Sequence, residues 1–113
     1  MLVRNREQVE VVTYSGEAKG VEMRPLITDK EGAPHFAMRV FNLTPEGYTP
    51  YHTHDWEHEV YILAGIGAVR GKQGERPLRP GDSVFIAPNE EHQFRAGADG
   101  LQFICCVPNH QPA

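Results

Sequence analysis

Glycine and proline interrupt this sequence so often that a bundle of long helices is disfavoured as its architecture. Eleven glycines and nine prolines occur in the 113 residues, about 18% of the chain, where a globular protein averages roughly 12%. Both residue types occur at turns, so their frequency favours short strands joined by turns. At 12.7 kDa the chain is long enough for one domain with a thin core.

Apolar segments between these turns predict strands along most of the chain. We expect about nine short strands at close intervals, which is typical of a β-sandwich or β-barrel. No segment has the convincing apolar spacing of an amphipathic helix. The clearest predicted strands are residues 9–14, 21–28, 36–43, 58–69, 83–87, 92–95 and 101–107, and the clearest turns are residues 44–47, 71–74, 79–82 and 88–91.

Charge and hydropathy argue against two classes of partner. The net charge is −4 and the sequence pI is about 5.8, so no broad basic surface is expected and nucleic acid is excluded as a partner. The longest uncharged apolar stretch, residues 60–69, contains two glycines and is half as long as the roughly 20 residues that a membrane-spanning helix needs. We therefore expect no membrane partner either.

The cysteines and the N-terminus predict a cytoplasmic protein. Cys105 and Cys106 are adjacent, and a disulfide between neighbours would require a strained turn. Two reduced thiols are expected, which suits a reducing compartment. The first residues carry several charges and no apolar segment of the kind that marks a protein for export.

Histidines provide the clearest chemical signal, and four of the six occupy related positions. His52 and His54 are two residues apart, so both imidazoles leave the same face of a strand. His58 opens the next strand after a three-residue connection, and His92 directly follows a predicted turn. Four imidazoles at strand ends suit a divalent metal ion. The remaining histidines, in a loop and in the polar tail, are expected to be solvated: His35 and His110.

The residues around these histidines resemble the two sequence motifs of the cupin family. In the first motif, Gly47 is followed after four residues by His52-Thr53-His54, after three more by His58 and after six more by Gly65. In the second, Gly81 is followed after five residues by Ala87-Pro88-Asn89, after two more by His92 and after three more by Ala96. The resemblance implies an all-β cupin fold, a double-stranded β-helix or jelly-roll barrel.

The resemblance also implies a domain organisation and an oligomeric state. Residues 1–113 are expected to form a single cupin domain, with its core motifs at residues 47–65 and 81–96. Small cupins commonly pair through their sheets and N-terminal strands. We therefore expect a homodimer, with residues 1–36 in its contacts.

One departure from the family pattern concerns a ligand. At the position of the family's acidic ligand stands His58, and the rival ligand Glu59 follows it. Strand parity favours His58, because it shares even parity with His52 and His54, whereas Glu59 takes the opposite face. The chain is therefore similar to the small four-histidine manganese cupins. The other departures do not fall on ligand positions: a first spacer one residue short, and Ala87, Asn89 and Ala96 in place of Pro, Gly and Asn.

Four neutral imidazoles would leave the charge of a divalent ion unneutralised, so an exogenous anion could bind the ion and neutralise it. An octahedral ion would keep two further positions, which suit a bidentate oxygen ligand such as an enolate or a 2-oxo acid, or one substrate oxygen plus dioxygen or peroxide. Imidazoles alone do not select the metal. The resemblance implies Mn²⁺ first and Fe²⁺ next, and leaves Zn²⁺, Ni²⁺ and Cu²⁺ open.

The last predicted strand supplies candidates for a pocket wall. Phe103 and Cys105 share one uniformly apolar face with Leu101 and Val107, so this face is expected to line the barrel. Cys105 is either a pocket thiol or a small core residue.

Two further pocket candidates lie elsewhere in the chain. Trp56, between the predicted ligands, either covers the site or packs as an ordinary aromatic side chain. Arg39 alternates with Phe41 and Leu43, so it either points inward and holds a substrate anion or lies in solvent.

These features favour a metal-dependent cupin oxidoreductase, of a dioxygenase-like or peroxide-using type, that acts on a small oxygenated organic molecule. Two alternatives stay open. One is a metal-dependent isomerase or lyase of the family, in which the ion only polarises an enediolate, and the other is a non-catalytic small-molecule-binding cupin. No nucleophile elbow, phosphate-binding loop or pair of catalytic carboxylates competes with the histidine site.

Overall fold

The computed structural model describes residues 1–109, so His110 lies outside the described residues. Within them the all-β prediction is confirmed. The strands are β1 (Val12–Thr13), β2 (Lys19–Ile27), β3 (Phe36–Tyr48), β4 (His58–Gly71), β5 (Gly74–Leu78), β6 (Ser83–Ile86) and β7 (Gln93–Pro108). Two short 3-10 helices, Arg6–Gln8 and Asp29–Glu31, precede and follow β1 and β2. No helix in this part of the chain is long and apolar enough to cross a membrane.

The strands are fewer and longer than predicted. β3 continues through the predicted turn at residues 44–47, because the chain there forms a bulge in which Glu46 has a φ of +63° and the pairing with β7 shifts between Leu43 and Tyr48. β7 joins two predicted strands, with Gly100 at a φ of +82° inside it. The prediction at residues 9–14 is wrong except for the short β1, and β5 was not among the strands identified from sequence.

All strand pairs are antiparallel, in the order β1-β2-β3-β7-β4-β5, with β6 paired to β4. The long strands β3, β7 and β4 form the middle of this curved sheet. Glycine lets β4 and β7 approach closely at their shared bulge. A Cβ atom on Gly65, whose φ is +82°, would lie 2.2 Å from the carbonyl oxygen of Gly100, so no other residue fits there without a backbone shift.

Side chains alternate between the barrel interior and the outer surface. The predicted apolar face of the last strand is confirmed as an interior face, since Leu101, Phe103, Cys105 and Val107 are all buried. Together with side chains such as Leu43 and Ile62 they form one apolar core. Few polar side chains are buried in this interior, and those that the structure describes are Thr49, His58 and His92. Histidines thus lie against an otherwise apolar wall.

Candidate metal centre

Three of the four predicted ligands form one compact group. The ligand atoms that His52, His54 and His92 can offer all lie within 4.8 Å of one another. The backbone fixes this arrangement, because His52 and His92 form an isolated antiparallel bridge. The amide of His52 donates to the carbonyl of His92 at 3.1 Å, and the amide of His92 donates back at 3.0 Å. The bridge joins the segment before β4 to the segment before β7, which are far apart in sequence.

The rings of this group are oriented as well as close. Ring centroids are 4.2 Å apart for His52 and His54, 4.8 Å for His52 and His92, and 5.5 Å for His54 and His92. The Nδ1 atom of His92 lies 2.8 Å from the carbonyl oxygen of Glu90. A carbonyl oxygen only accepts hydrogen bonds, so Nδ1 carries the proton and Nε2 keeps its lone pair. A carbonyl that fixes the tautomer in this way is a common support for a metal-binding histidine.

His58 stands beside the group as a possible fourth ligand. Its ring centroid is 5.2 Å from that of His54 and 5.1 Å from that of His92. Its Nδ1 atom lies 3.1 Å from the sulfur of Cys105, and its Nε2 atom is buried without a hydrogen-bond partner among the described residues. Buried polar atoms without partners are rare, because each costs about 1–3 kcal/mol. A metal ion bound to Nε2 would remove that cost.

The rival residue Glu59 points away from the histidines. His58 is buried and Glu59 is exposed in the alternating pattern of β4, and Glu59 pairs in register with Cys106. A hydrogen bond with the side chain of Glu57 raises the pKa of Glu59, and desolvation and the negative charge of Glu57 raise it further. The strand parity read from the sequence therefore holds through the turn before β4.

Burial keeps these imidazoles neutral. Desolvation is the largest cause in each case: it lowers the pKa of His52 to about 4 and that of His58 to about 3, with contributions from neighbouring histidines. The pKa values of His54 and His92 are lowered in the same way, although the carbonyl of Glu90 opposes the shift at His92. Because neutral imidazole is the form that binds metal, the site needs no deprotonation near pH 7.

The pocket residues expected on β7 lie in the interior. Phe103 stacks on Phe41 with ring centroids 5.1 Å apart, and its ring centroid is 4.7 Å from that of Phe94. It therefore belongs to a cluster of aromatic rings in the barrel interior. Cys105 is buried as a free thiol beside His58, and desolvation raises its pKa.

The other two pocket candidates also lie near the histidines. Trp56 stacks on His54, with ring centroids 4.4 Å apart and planes 7° apart. Arg39 points inward and is not simply solvated, because its Nη2 atom donates to the sulfur of Cys105 at 3.2 Å and its Cζ atom lies 5.1 Å from the ring centroid of Phe41. His35, as predicted, is exposed and lies outside the group.

One aromatic residue near the site was missed from the sequence. Tyr14 packs on Phe41 with ring centroids 6.0 Å apart, and burial raises its pKa while the charge of Arg39 opposes that shift. Tyr14 ends the strand predicted at residues 9–14, but in the structure it lies in an irregular segment after β1, so strand alternation does not give the direction of its side chain. A separate open cavity of about 740 Å³ lies between β5, β6 and residues 89–92, and among the four histidines only His92 lines it.

Comparisons with known proteins assign the family. The chain is similar over its whole length to the polyketide cyclase RemF from Streptomyces resistomycificus, with 32% identity, 82% of that chain covered and a TM-score of 0.92. A cupin 2 conserved barrel domain protein from Rhodopseudomonas palustris is 29% identical, with 93% of this chain and 74% of that chain covered and a TM-score of 0.84.

A curated relative matches a shorter region. It is the 1-methylthio-D-xylulose 5-phosphate methylsulfurylase of Rhodospirillum rubrum, 37% identical over 71 residues, which are 62% of this chain and 46% of that protein. The match thus spans about half the length of that relative. The family model for the cupin domain matches residues 39–107, from the inward-facing Arg39 on β3 to Val107 on β7, and so includes all four histidines. With more than half of its length matched and a barrel superposable on solved cupin structures, this chain belongs to the cupin family.

Proposed function

We propose that the chain is a metal-dependent enzyme that binds a divalent ion through His52, His54 and His92, with His58 as the fourth ligand. The observation that carries this proposal is the three-histidine group within 4.8 Å, beside a fourth imidazole whose buried Nε2 has no partner. The resemblance to the four-histidine cupins implies Mn²⁺ or Fe²⁺, and the all-nitrogen donor set alone does not select between these ions and Zn²⁺, Ni²⁺ or Cu²⁺.

The choice between His58 and Glu59 gives a direct prediction. We expect His58→Ala to weaken metal binding strongly, because it removes a buried imidazole next to His54 and His92. Glu59→Ala, one residue away on the outer face, should leave metal affinity unchanged. Metal content after dialysis against a defined free-metal buffer measures both. Loss of metal from Glu59→Ala with retention by His58→Ala would contradict the four-histidine assignment.

The bound ion would act as a Lewis acid that polarises an oxygen of the substrate. The residues of the chain supply the surroundings of that reaction. Trp56 stacks on the ring of His54, and the buried, packed rings of Phe41, Phe94 and Phe103 keep water out of the interior beside the histidines. In apolar surroundings of this kind, electrostatic interactions with a small oxygenated substrate are stronger than in water.

Two reaction classes fit this site. Non-redox chemistry, of the isomerase or lyase kind, is supported by the similarity to a protein named as a polyketide cyclase. Oxidoreductase chemistry with dioxygen or peroxide, the class favoured by the sequence, is supported by the neutral four-nitrogen donor set, which leaves room for a second exogenous ligand. We propose the non-redox class as the first to test and keep the oxidoreductase as the second.

One experiment separates these classes. Protein purified without an affinity tag is analysed for metal, then reloaded with either Mn²⁺ or redox-inert Zn²⁺, and both forms are screened against 2-oxo acids, 2-hydroxy acids and 1,3-diketones. Substrate conversion by the Zn²⁺ form without oxygen uptake supports non-redox chemistry. Oxygen or peroxide consumption by the Mn²⁺ form alone supports the oxidoreductase. Binding without conversion in either form would identify a non-catalytic binding cupin.

Two further expectations from the sequence stay proposals. A homodimer through residues 1–36 is supported by apolar side chains exposed there, including Val3, Val12 and Phe36, and sedimentation velocity tests it. A cytoplasmic location is supported by the two free cysteines, Cys105 and Cys106.

A further inference from the structure

Two buried side-chain nitrogens lack hydrogen-bond partners in the part of the chain that the structure describes, and both belong to residues that contact the same sulfur. They are Nε of Arg39 and Nε2 of His58, and the common neighbour is Cys105. We propose that Arg39 binds the carboxylate of an organic acid substrate, next to the metal site. This inference rests on the proposed function, since it places the acid group of the substrate of that site.

The strand register puts Arg39 at this position. Arg39 on β3 pairs with Cys105 on β7, and Cys105 pairs in turn with Val60 on β4. His58 lies two residues before Val60 and therefore on the same inward face. The sulfur of Cys105 is 3.2 Å from Nη2 of Arg39 and 3.1 Å from Nδ1 of His58. Nη2 of Arg39 and Nδ1 of His58 therefore lie within the sum of these two distances of each other, so one small molecule can reach both side chains.

Among the described residues, the charge of Arg39 has no counter-ion. No carboxylate oxygen of the described residues lies within 4 Å of it, whereas Arg4, Arg24 and Arg95 each have a glutamate partner. Its known contacts are a thiol sulfur and the face of Phe41. A thiol is a weak acceptor, and a cation–π contact does not satisfy the Nε–H donor. A partly buried charge that lacks a partner is costly, so an anion in this position would stabilise it.

A carboxylate matches this unfilled donor in shape and in charge. Its two oxygens lie in one plane and can accept from a planar guanidinium in parallel. The guanidinium also balances the negative charge of one carboxylate group. The substrate we infer has a carboxylate bound to Arg39 and a second oxygen, a few bonds away, directed to the histidine site.

The test measures binding of succinate, malonate and inorganic phosphate to the metal-free protein by calorimetry. We expect Arg39→Gln to weaken binding of the dicarboxylates by about tenfold or more, the effect of removing a charge-assisted hydrogen bond. The matched control is Arg76→Gln, the same change at an exposed position of β5, and it should bind them like the wild type. Equal affinities of all three proteins would overturn the proposal, and so would Arg39-dependent binding of phosphate but not of dicarboxylates.

Two further measurements keep this test independent of folding and of the metal. The first is thermal unfolding of Arg39→Met, which removes the unpaired charge but keeps an apolar stem. This variant should unfold at or above the wild-type temperature. A lower temperature with unchanged dicarboxylate affinity would mean that Arg39 is purely structural and would overturn the proposal.

The second is quenching of Trp56, the one tryptophan of the chain, by Co²⁺, which reports metal binding. It should be the same in Arg39→Gln and wild type. If Co²⁺ fails to bind while dicarboxylates bind through Arg39, the metal proposal fails and this one stands.

Discussion

Replacing His92 with alanine is expected to lower the affinity of the protein for divalent metal by more than about 100-fold, beyond the 10–100-fold effect of losing only a group that supports a ligand. His92 is central to the site, because its ring contacts those of His52, His54 and His58. It also has the best-defined tautomer, held by the carbonyl of Glu90. Its removal takes away the ligand that connects the others.

The fold should survive this change, because the bridge between His52 and His92 is made by backbone groups that alanine keeps. Co²⁺ titration followed through Trp56, which stacks on His54, measures the affinity, and circular dichroism checks the fold. His35→Ala, which removes an exposed histidine outside the group, is the matched control and should bind Co²⁺ like the wild type. If His92→Ala binds Co²⁺ with wild-type affinity, the metal does not bind at these histidines.

Metal is also expected to stabilise the protein, because separate segments carry the ligands and only folding brings them together. At free metal 100 times the dissociation constant, the free energy of unfolding should rise by about 2.7 kcal/mol. Denaturant titration with and without chelator measures this difference. Because burial lowers the pKa of all four histidines, the metal should stay bound to a lower pH than the value of about 6.5 at which an exposed histidine titrates. Identical unfolding curves with metal and with chelator at pH 7.5 would contradict the coupling.

Acid is also expected to destabilise the metal-free protein, because burial lowers the pKa of the histidines. An unfolded histidine titrates near 6.5, and burial lowers the pKa of His58 to about 3 in the folded state. Between these values the unfolded chain binds a proton that the folded chain excludes, so stability is lost as the pH falls below 6.5. From pH 7.5 to pH 5 the contribution of His58 is a loss of about 2 kcal/mol. His58→Asn should remove that part of the loss, and an unchanged pH dependence in this variant would refute it.

Most of the fold follows from local sequence signals. Alternation placed Phe103 and Cys105 in the interior and Cys106 on the less buried face, and the structure has them there. What the sequence did not reveal is where strands continue through apparent breaks. Pro45 and Gly47 are residue types typical of a turn. In the structure they lie in a bulge within β3, because β2 and β7 pair with this strand on its two sides. Local turn chemistry cannot show that pairing, which depends on distant segments.

The candidate site likewise has features that could be predicted from the sequence and features that could not. The resemblance to the cupin motifs selected the four histidines, and strand parity, which needs only the periodicity of a strand, set Glu59 aside. The role of Cys105 as the contact between His58 and Arg39 depends on the register of three strands, and a single sequence does not contain that register. For the same reason alternation left Arg39 either inward or solvated, and only the packed barrel shows that its Nε is buried without a partner.

The central claim is that the histidine group holds a metal ion that stays open to small ligands. A structural ion is usually closed by four protein ligands in a tetrahedron, whereas a catalytic ion keeps exchangeable positions. Water-proton relaxation of the Mn²⁺-loaded protein distinguishes the two directly. We predict a strong relaxation enhancement that falls as oxalate, a small bidentate anion, is added and displaces the exchanging water. An enhancement near zero that does not respond to oxalate would show a closed ion and would contradict the proposed enzyme.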